Sequence, residues 1–295
     1  MRAAALLLVL AARSGVSTPP APSNCSQAPF SSYLFCDADA PLPARLDDLV
    51  ARLAPEDLQG LLSNGNAGLP ALGVPRVSFG EALHGALTQC GAPGGAGSTG
   101  CATSFPNPLA LARALNRTLW SLVGAAIGRE SRALNNEGLQ GNIAWAPNLN
   151  LFRDPRWGRG IETPGECPLV ASEYAAAFVR ALQTGGEDGP YLLVPAQAKH
   201  SVAYDCENCD GIGRNSFDAL VSDHDLVEYF FPPFRAAVQR GGVSGLMCAA
   251  STLAIHPPPR RTLNTDASPL SPSVALPLRS TRRSMACPTA RTAAS

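Results

Sequence analysis

Strand and helix signals alternate through the middle of this chain, and that alternation limits the folds open to it more than any other feature. Val77 to Phe79 reads as a short strand. A long helix is expected after Asn116, a residue suited to capping, with Leu119, Trp120, Val123 and Ile127 along one side. Ile143 to Leu149 is a short extended run, and Ala171 to Leu182 is a helix with Tyr174 and Phe178 one turn apart. Tyr191 to Ala198 reads as an apolar strand ending at Lys199-His200. Val227, Phe230, Phe231, Phe234 and Val238 mark the next helix, and Val243 to Ala249 the next strand. Upstream, Leu46, Leu49, Val50 and Leu53 form a helical stripe, and Pro55 opens a second helical stretch through Leu58, Leu61 and Leu62. Repeated strand-then-helix order predicts an α/β fold with a parallel sheet, above all the (β/α)8 barrel, whose chemistry sits at strand ends.

Other function classes find no support. The 23 basic and 23 acidic residues balance, so neither nucleic acid nor an anionic membrane is a default partner. Neither a phosphate loop nor a GxGxxG fingerprint is present to suggest nucleotide binding, and no fixed-period repeat suggests a solenoid. The basic side is nonetheless unusual, because lysine occurs once, as Lys199. Coding bias accounts for an arginine-rich chain, but a compact, rotatable ammonium is not equivalent to a planar guanidinium fork, which makes Lys199 a candidate functional residue.

The two ends read differently from the middle. Arg2, the apolar run Ala3 to Ala12 and the small residues Gly15 and Ser17 predict a secretory signal over 1–17 and a secreted, extracellular protein. The run is too short for the roughly 20 residues a bilayer span needs, and no membrane partner is expected. The sequons Asn24-Cys25-Ser26 and Asn116-Arg117-Thr118 are compatible with secretion. Nine cysteines predict disulfides and a leftover thiol, with Cys25/Cys36, Cys90/Cys101 and Cys206/Cys209 as local candidates and the connectivity open. Cys206 and Cys209 are also spaced like a zinc or redox pair. Neither a second ligand pair nor a βαβ redox context accompanies them, so no metal or cofactor is expected. From 257 to 295 the chain is rich in Ser, Arg, Pro, Thr and Ala, with Asp266 its one acid. Such a stretch is expected to be a disordered tail, either natural or the product of a shifted reading frame.

Three clusters carry the candidate chemistry. Glu81-Ala82-Leu83-His84-Gly85 follows the first strand, where Glu81 can accept two sugar hydroxyls or simply favour a helix N-terminus. The run Asn148 to Glu166 concentrates arginines, acids and Trp157 in a loop suited to ion-paired binding, and salt bridges internal to the loop are expected for some of its residues, Arg153 and Asp154 first. Lys199-His200 at a strand end, followed by Tyr204-Asp205, offers two adjacent cation-capable donors to neighbouring hydroxyls, although a lone histidine is ordinarily a structural one.

With Thr103-Ser104-Phe105-Pro106 and Trp145-Ala146-Pro147-Asn148, these clusters resemble glycoside hydrolase family 3 from about Tyr33 to Met247, most closely its plant and fungal β-xylosidases. The resemblance implies that 18–256 is part of an N-terminal (β/α)8 barrel, its last strands missing, that grips the terminal sugar of a β-linked xylo- or gluco-oligosaccharide. Glu81, Arg159, Lys199 and His200 would bind that sugar, with Glu162 and Asp154 supporting them. The implied reaction is retaining hydrolysis by a nucleophilic carboxylate and an acid/base carboxyl. The family's nucleophilic Asp belongs in a Ser-Asp motif on the strand after Val243 to Ala249, and nothing after Met247 matches it. Asp266 lacks an apolar strand around it, Asp223 comes too early, and the general acid has no candidate. No catalytic residue is therefore expected here, and a non-catalytic sugar-binding fragment is the alternative to a glycosidase.

Overall fold

The structure is a computed structural model that describes residues 24–61, 68–86, 102–187, 189, 191–209, 211–250 and 252–255. The expected leader, the Cys90/Cys101 pair, Leu62, Asp266 and the tail from 257 lie outside the described residues. The chain divides into two compact units, one formed by 1–76 with 136–139 and the other by 77–135 with 140–295.

The first unit contains α1 (Leu42–Ala51) and α2 (Pro55–Leu61), preceded by short 3-10 turns. Cys25 and Cys36 are disulfide-bonded with their Cα atoms 5.1 Å apart, as one of the local pairings anticipates. Asp48 anchors the turns to α1 by accepting from the Phe35 amide at 3.1 Å and pairing with Arg52 at 2.8 Å. Arg52 in turn lies 4.0 Å over the Tyr33 ring. The expected α1 stripe forms a helix, yet Leu46 and Val50 are exposed.

The second unit begins with β1 (Phe79–Gly80), α3 (Pro108–Ala112), α4 (Arg117–Asn136), β2 (Ile143–Ala144), α5 (Pro168–Thr184) and β3 (Gln197–Ser201). It continues through β4 (Asn208–Cys209), β5 (Ile212–Gly213), β6 (Asp218–Val221), α6 (Asp223–Asp225), α7 (Pro232–Gln239), β7 (Gly245–Cys248) and β8 (Thr252–Ile255). β1 pairs parallel with β2, Ala144 bridges in parallel to Ala196 just ahead of β3, and β3 pairs parallel with β7. β1, β2, β3 and β7 thus follow one another side by side with helices between them, which is the α/β arrangement the alternation predicts. β4 and β5 form an antiparallel hairpin, and β6 pairs parallel with β8.

The helices are set by their sequence. Asn116 caps α4 as expected, its Oδ1 accepting from the Leu119 amide at 3.0 Å. Trp120, Val123 and Ile127 are buried against Tyr174, Phe178 and Leu182 of α5. The two helices approach closely because Gly124 and Gly128 face α5. A methyl at Gly124 would come within 2.9 Å of the Phe178 carbonyl oxygen, and one at Gly128 would run into that of Leu182. Buried Gln183 fastens the end of α5 to the strands, its Oε1 accepting from Ala196 N at 3.1 Å and Ser244 N at 3.0 Å while Nε2 donates to the Gly242 carbonyl at 2.9 Å.

Three elements depart from expectation, each at a proline. The strand expected over Tyr191 to Ala198 runs instead from Gln197 to Ser201, with Tyr191 80% exposed. Pro195 has no amide to give a ladder, although its carbonyl accepts from Ala144 N at 2.9 Å. Lys199 and His200 consequently sit within the strand, not beyond it. The extended run from Ile143 is a strand only to Ala144 and is interrupted at Pro147. The helix expected over Val227 to Val238 is a π-helical turn, Leu226–Phe230, followed by a fresh helical start at Pro232 and Pro233. The broken stripe buries Phe230 and Phe234 and leaves Val227, Phe231 and Val238 exposed.

Candidate functional site

Strand ends of the second unit bring the candidate residues together. Glu81 directly follows β1, Asn148 and Asn150 follow β2, and Lys199 and His200 belong to β3. Arg159 and Glu162 arrive from the loop between β2 and α5, on a 3-10 turn over Gly160–Glu162. The turn fits closely, since a methyl at Gly160 would collide with the Phe152 ring. Asp154 folds the loop upon itself: its Oδ1 accepts from the Arg156 amide at 2.9 Å, and its carboxylate pairs with the Arg156 guanidinium at 2.6 Å. Asp154 thus enters the internal salt bridging expected of this loop. Arg153 lies over the rings of Tyr229 and Phe230 instead, 4.8 and 5.3 Å from their centroids. Of the residues named from sequence, Glu81, Arg159, Glu162, Lys199 and His200 gather at one place, whereas Asp154 supports only its own loop.

Ionic pairing organises the cluster. Lys199 Nζ donates to Glu81 Oε2 at 2.7 Å, the lysine side chain being 2% exposed and the glutamate 43%. Burial lowers the Lys199 pKa, opposed by the charges of Glu81 and Glu162 and reinforced by Arg159. Arg159 makes a two-pronged pair with Glu162, Nε to Oε1 at 2.8 Å and Nη2 to Oε2 at 2.7 Å. Burial pushes the Glu162 carboxyl up, but Arg159, the Asn148 amide at 3.1 Å and the charge of Lys199 outweigh it and hold the group below its ordinary value.

His200 behaves unlike the cation-capable donor its position suggests. Burial, followed by the charges of Arg159 and Lys199, depresses its pKa to about 3, so the ring is neutral. Asn150 fixes its proton: Asn150 Nδ2 donates to the His200 carbonyl at 2.8 Å, and Oδ1 accepts from the His200 amide at 2.8 Å. The same oxygen lies 3.1 Å from Nδ1, which must then carry the hydrogen and leave Nε2 as an acceptor. The cluster therefore presents cationic donors from Lys199 and Arg159, a half-exposed carboxylate and an imidazole acceptor. A polyhydroxylated ring, whose hydroxyls both donate and accept, matches that combination. Among the described residues no group of three or more His, Cys, Asp and Glu is placed to hold a metal ion.

Sequence reasoning left four contributors without a role. Asn148 and Asn150 brace Glu162 and His200, and an Asn-x-Asn pair at a strand end was the available signal. Tyr204 is buried edge-on against Trp157 and His200, at 5.5 and 4.9 Å between centroids. Asp205 is buried with Oδ2 lacking a hydrogen-bond partner, and burial, opposed by Arg153, raises its pKa to about 6. His84 and Gly85 are structural: the His84 carbonyl accepts from the Phe105 amide at 2.8 Å.

Residues 86–261 match the family model described as the glycosyl hydrolase family 3 N terminal domain. A β-xylosidase/α-L-arabinofuranosidase of Medicago sativa subsp. varia is 44% identical over 223 residues, covering 74% of this chain and 29% of that protein. A probable β-D-xylosidase of Arabidopsis thaliana is 41% identical, covering 83% of this chain and 33% of its own length. Among solved structures, a family 3 exo-β-xylosidase in complex with a xylobiose aziridine activity-based probe aligns with a TM-score of 0.72 at 36% identity, over 78% of this chain and 30% of that one. The chain thus spans about a third of the length of the relatives it matches.

Proposed function

The chain belongs to glycosyl hydrolase family 3, and on that premise we propose that it carries the sugar-gripping part of a β-xylosidase-type exo-glycosidase. Glu81, Arg159, Lys199 and His200 hold the terminal pyranose of a β-linked xylo- or gluco-oligosaccharide, and the parallel strands are successive units of a (β/α)8 barrel. The observation that carries this reading is the convergence of Glu81, Lys199, His200 and the Arg159–Glu162 pair at neighbouring strand ends, where α/β folds place ligands. Lys199 and Arg159 donate to hydroxyl oxygens, while Glu81 and His200 Nε2 accept hydroxyl hydrogens, and together they fix which ring and which face are bound.

Turnover needs more than this grip. A retaining glycosidase requires two carboxyl groups about 5–5.5 Å apart, one of them free to attack the anomeric carbon. Both carboxylates of the cluster are held by cations, Glu81 by Lys199 and Glu162 by Arg159. On this reading the two carboxylates hold the sugar rather than cleave it. Incubation with an aryl β-xyloside should release no phenol above background. Turnover abolished by a single carboxylate substitution in this chain would overturn that part of the reading. Secretion belongs to the same proposal, supported by the leader-like segment over 1–17 and by disulfides that include Cys25–Cys36 and Cys206–Cys209.

A further inference from the structure

Asn116, which caps α4, also opens the triplet Asn116-Arg117-Thr118, the acceptor pattern for an N-linked glycan. A cap and a glycan make different demands on one amide group. The cap uses Oδ1, which accepts from the Leu119 amide at 3.0 Å. A glycan is joined through Nδ2, the other branch of the same amide, so its attachment leaves the capping oxygen in place. The rest of the triplet is placed as an acceptor needs. Asn116 and Thr118 are exposed, while Arg117 between them is turned toward α5, its Nε 2.8 Å from Glu173 Oε2. Asn107 makes the same kind of cap on α3, its Oδ1 accepting from the Ala110 amide at 2.9 Å, but Pro108 and Leu109 follow it and no acceptor triplet results.

The surface beside the triplet is apolar. Leu115, Leu119 and Leu122 are 55%, 36% and 63% exposed, and Leu119 and Leu122 share a face of α4 at a spacing of three. The face of α4 that packs on α5 is already filled by Trp120, Val123 and Ile127, so these leucines stay outside. An exposed group of leucines promotes self-association unless something covers it.

We propose that Asn116 carries an N-linked glycan that covers the leucines at the start of α4. The inference rests on the secretion reading, because the transfer takes place inside the secretory pathway. Nδ2 attacks the anomeric carbon of the first sugar of a lipid diphosphate-linked oligosaccharide. The carbon–nitrogen bond forms as the bond from that carbon to the phosphate oxygen breaks, Nδ2 gives up one proton, and the lipid diphosphate leaves.

The full chain is expressed in a eukaryotic secreting host, once as it stands and once with a host leader ahead of Met1. Enzymatic removal of glycans in heavy-oxygen water turns a glycosylated asparagine into an aspartate bearing that oxygen. Peptide mass spectrometry then reads Asn116 separately from the triplet at Asn24, with Asn107 as the unmodified control. Behind the host leader most copies of Asn116 should carry the label, and none should in Thr118→Ala, which keeps the cap and should melt within a few degrees of the parent. Unlabelled Asn116 in that protein, taken from the endoplasmic reticulum or the medium, overturns the proposal. Label behind the host leader but not behind the chain's own first residues upholds Asn116 as an acceptor and overturns the secretion reading instead. By light scattering, Thr118→Ala should self-associate at a lower concentration than the glycosylated parent, and equal self-association overturns the covering role.

Discussion

Replacing Asp205 by asparagine should stabilise the protein at neutral pH and leave its stability nearly unchanged in acid. The residue is 5% exposed, and Oδ2 has no hydrogen-bond partner. Burial, only partly countered by Arg153 and reinforced by Asp154, raises its pKa from 3.8 to about 6. A raised carboxyl pKa means that the folded chain binds the proton more tightly than the unfolded one. Stability is therefore undiminished below about pH 4, declines as pH rises toward 6, and stays lower above it. Two pKa units at about 1.4 kcal/mol each give a penalty of ~3 kcal/mol at pH 7.5, which Asp205→Asn removes. His200 imposes the opposite slope, because its depressed pKa costs stability as pH falls from 6.5 toward about 3. That contribution is common to both proteins and cancels in their difference. Urea denaturation of parent and variant between pH 4 and 8 should give a difference curve that climbs by ~2–3 kcal/mol across pH 4–6 and then levels off. An amide donor left without a partner would move the whole curve vertically without changing its climb. A flat difference curve would refute the reasoning, since it would mean that Asp205 is solvated or paired in the native state.

Other consequences are equally open to measurement. Gly128→Ala should destabilise the α4–α5 contact by about 1–3 kcal/mol, the usual cost of forcing a methyl into a filled interface, read as a lower urea midpoint with unchanged slope. Gln183→Met should cost about 1–3 kcal/mol by leaving the buried Ala196 amide without an acceptor, while the exposed Ser244 and Gly242 groups turn to water. Glu162→Gln should weaken xylose binding at least about tenfold, because it removes the anion that holds Arg159 and helps keep Lys199 charged; titration calorimetry would show it. Mass measurement of the protein recovered from a secreting host should show loss of residues 1–17, and retention of Met1 in material from the medium would contradict the leader.

Much of this architecture was legible in the chain because its signals are local. Asn116 announces a cap, the α4 and α5 apolar faces follow helical spacing, and the strand order follows from their alternation. What periodicity misjudged lies at prolines: Pro147 shortens β2, Pro195 delays β3, and Pro232 restarts a helix that the apolar stripe would have run straight through. The gathering of Glu81, Arg159, Glu162, Lys199 and His200 was legible because charged residues at strand ends are conspicuous. Its electrostatic character was not. Neither the neutrality of His200 nor the burial of Asp205 is written in their neighbours in sequence. Both arise first from burial that only the folded chain imposes, and at His200 the Arg159 charge, brought in on another loop, adds to it. Asn150 and Tyr204 escaped for the same reason, since a polar residue's role here is set by partners about 50 residues away or on another loop.

Lys199→Met tests the central claim most directly. The change is nearly isosteric and removes a desolvated ammonium, and the Glu81 carboxylate it leaves behind is half-exposed and can turn to water, so the fold should persist. Saturation-transfer NMR and calorimetry with D-xylose should show saturable binding to the parent chain that weakens at least about tenfold in Lys199→Met, with both proteins melting cooperatively. A parent chain that binds no xylose, or a Lys199→Met variant that binds it as tightly as the parent, would contradict the assignment of this cluster as the sugar site.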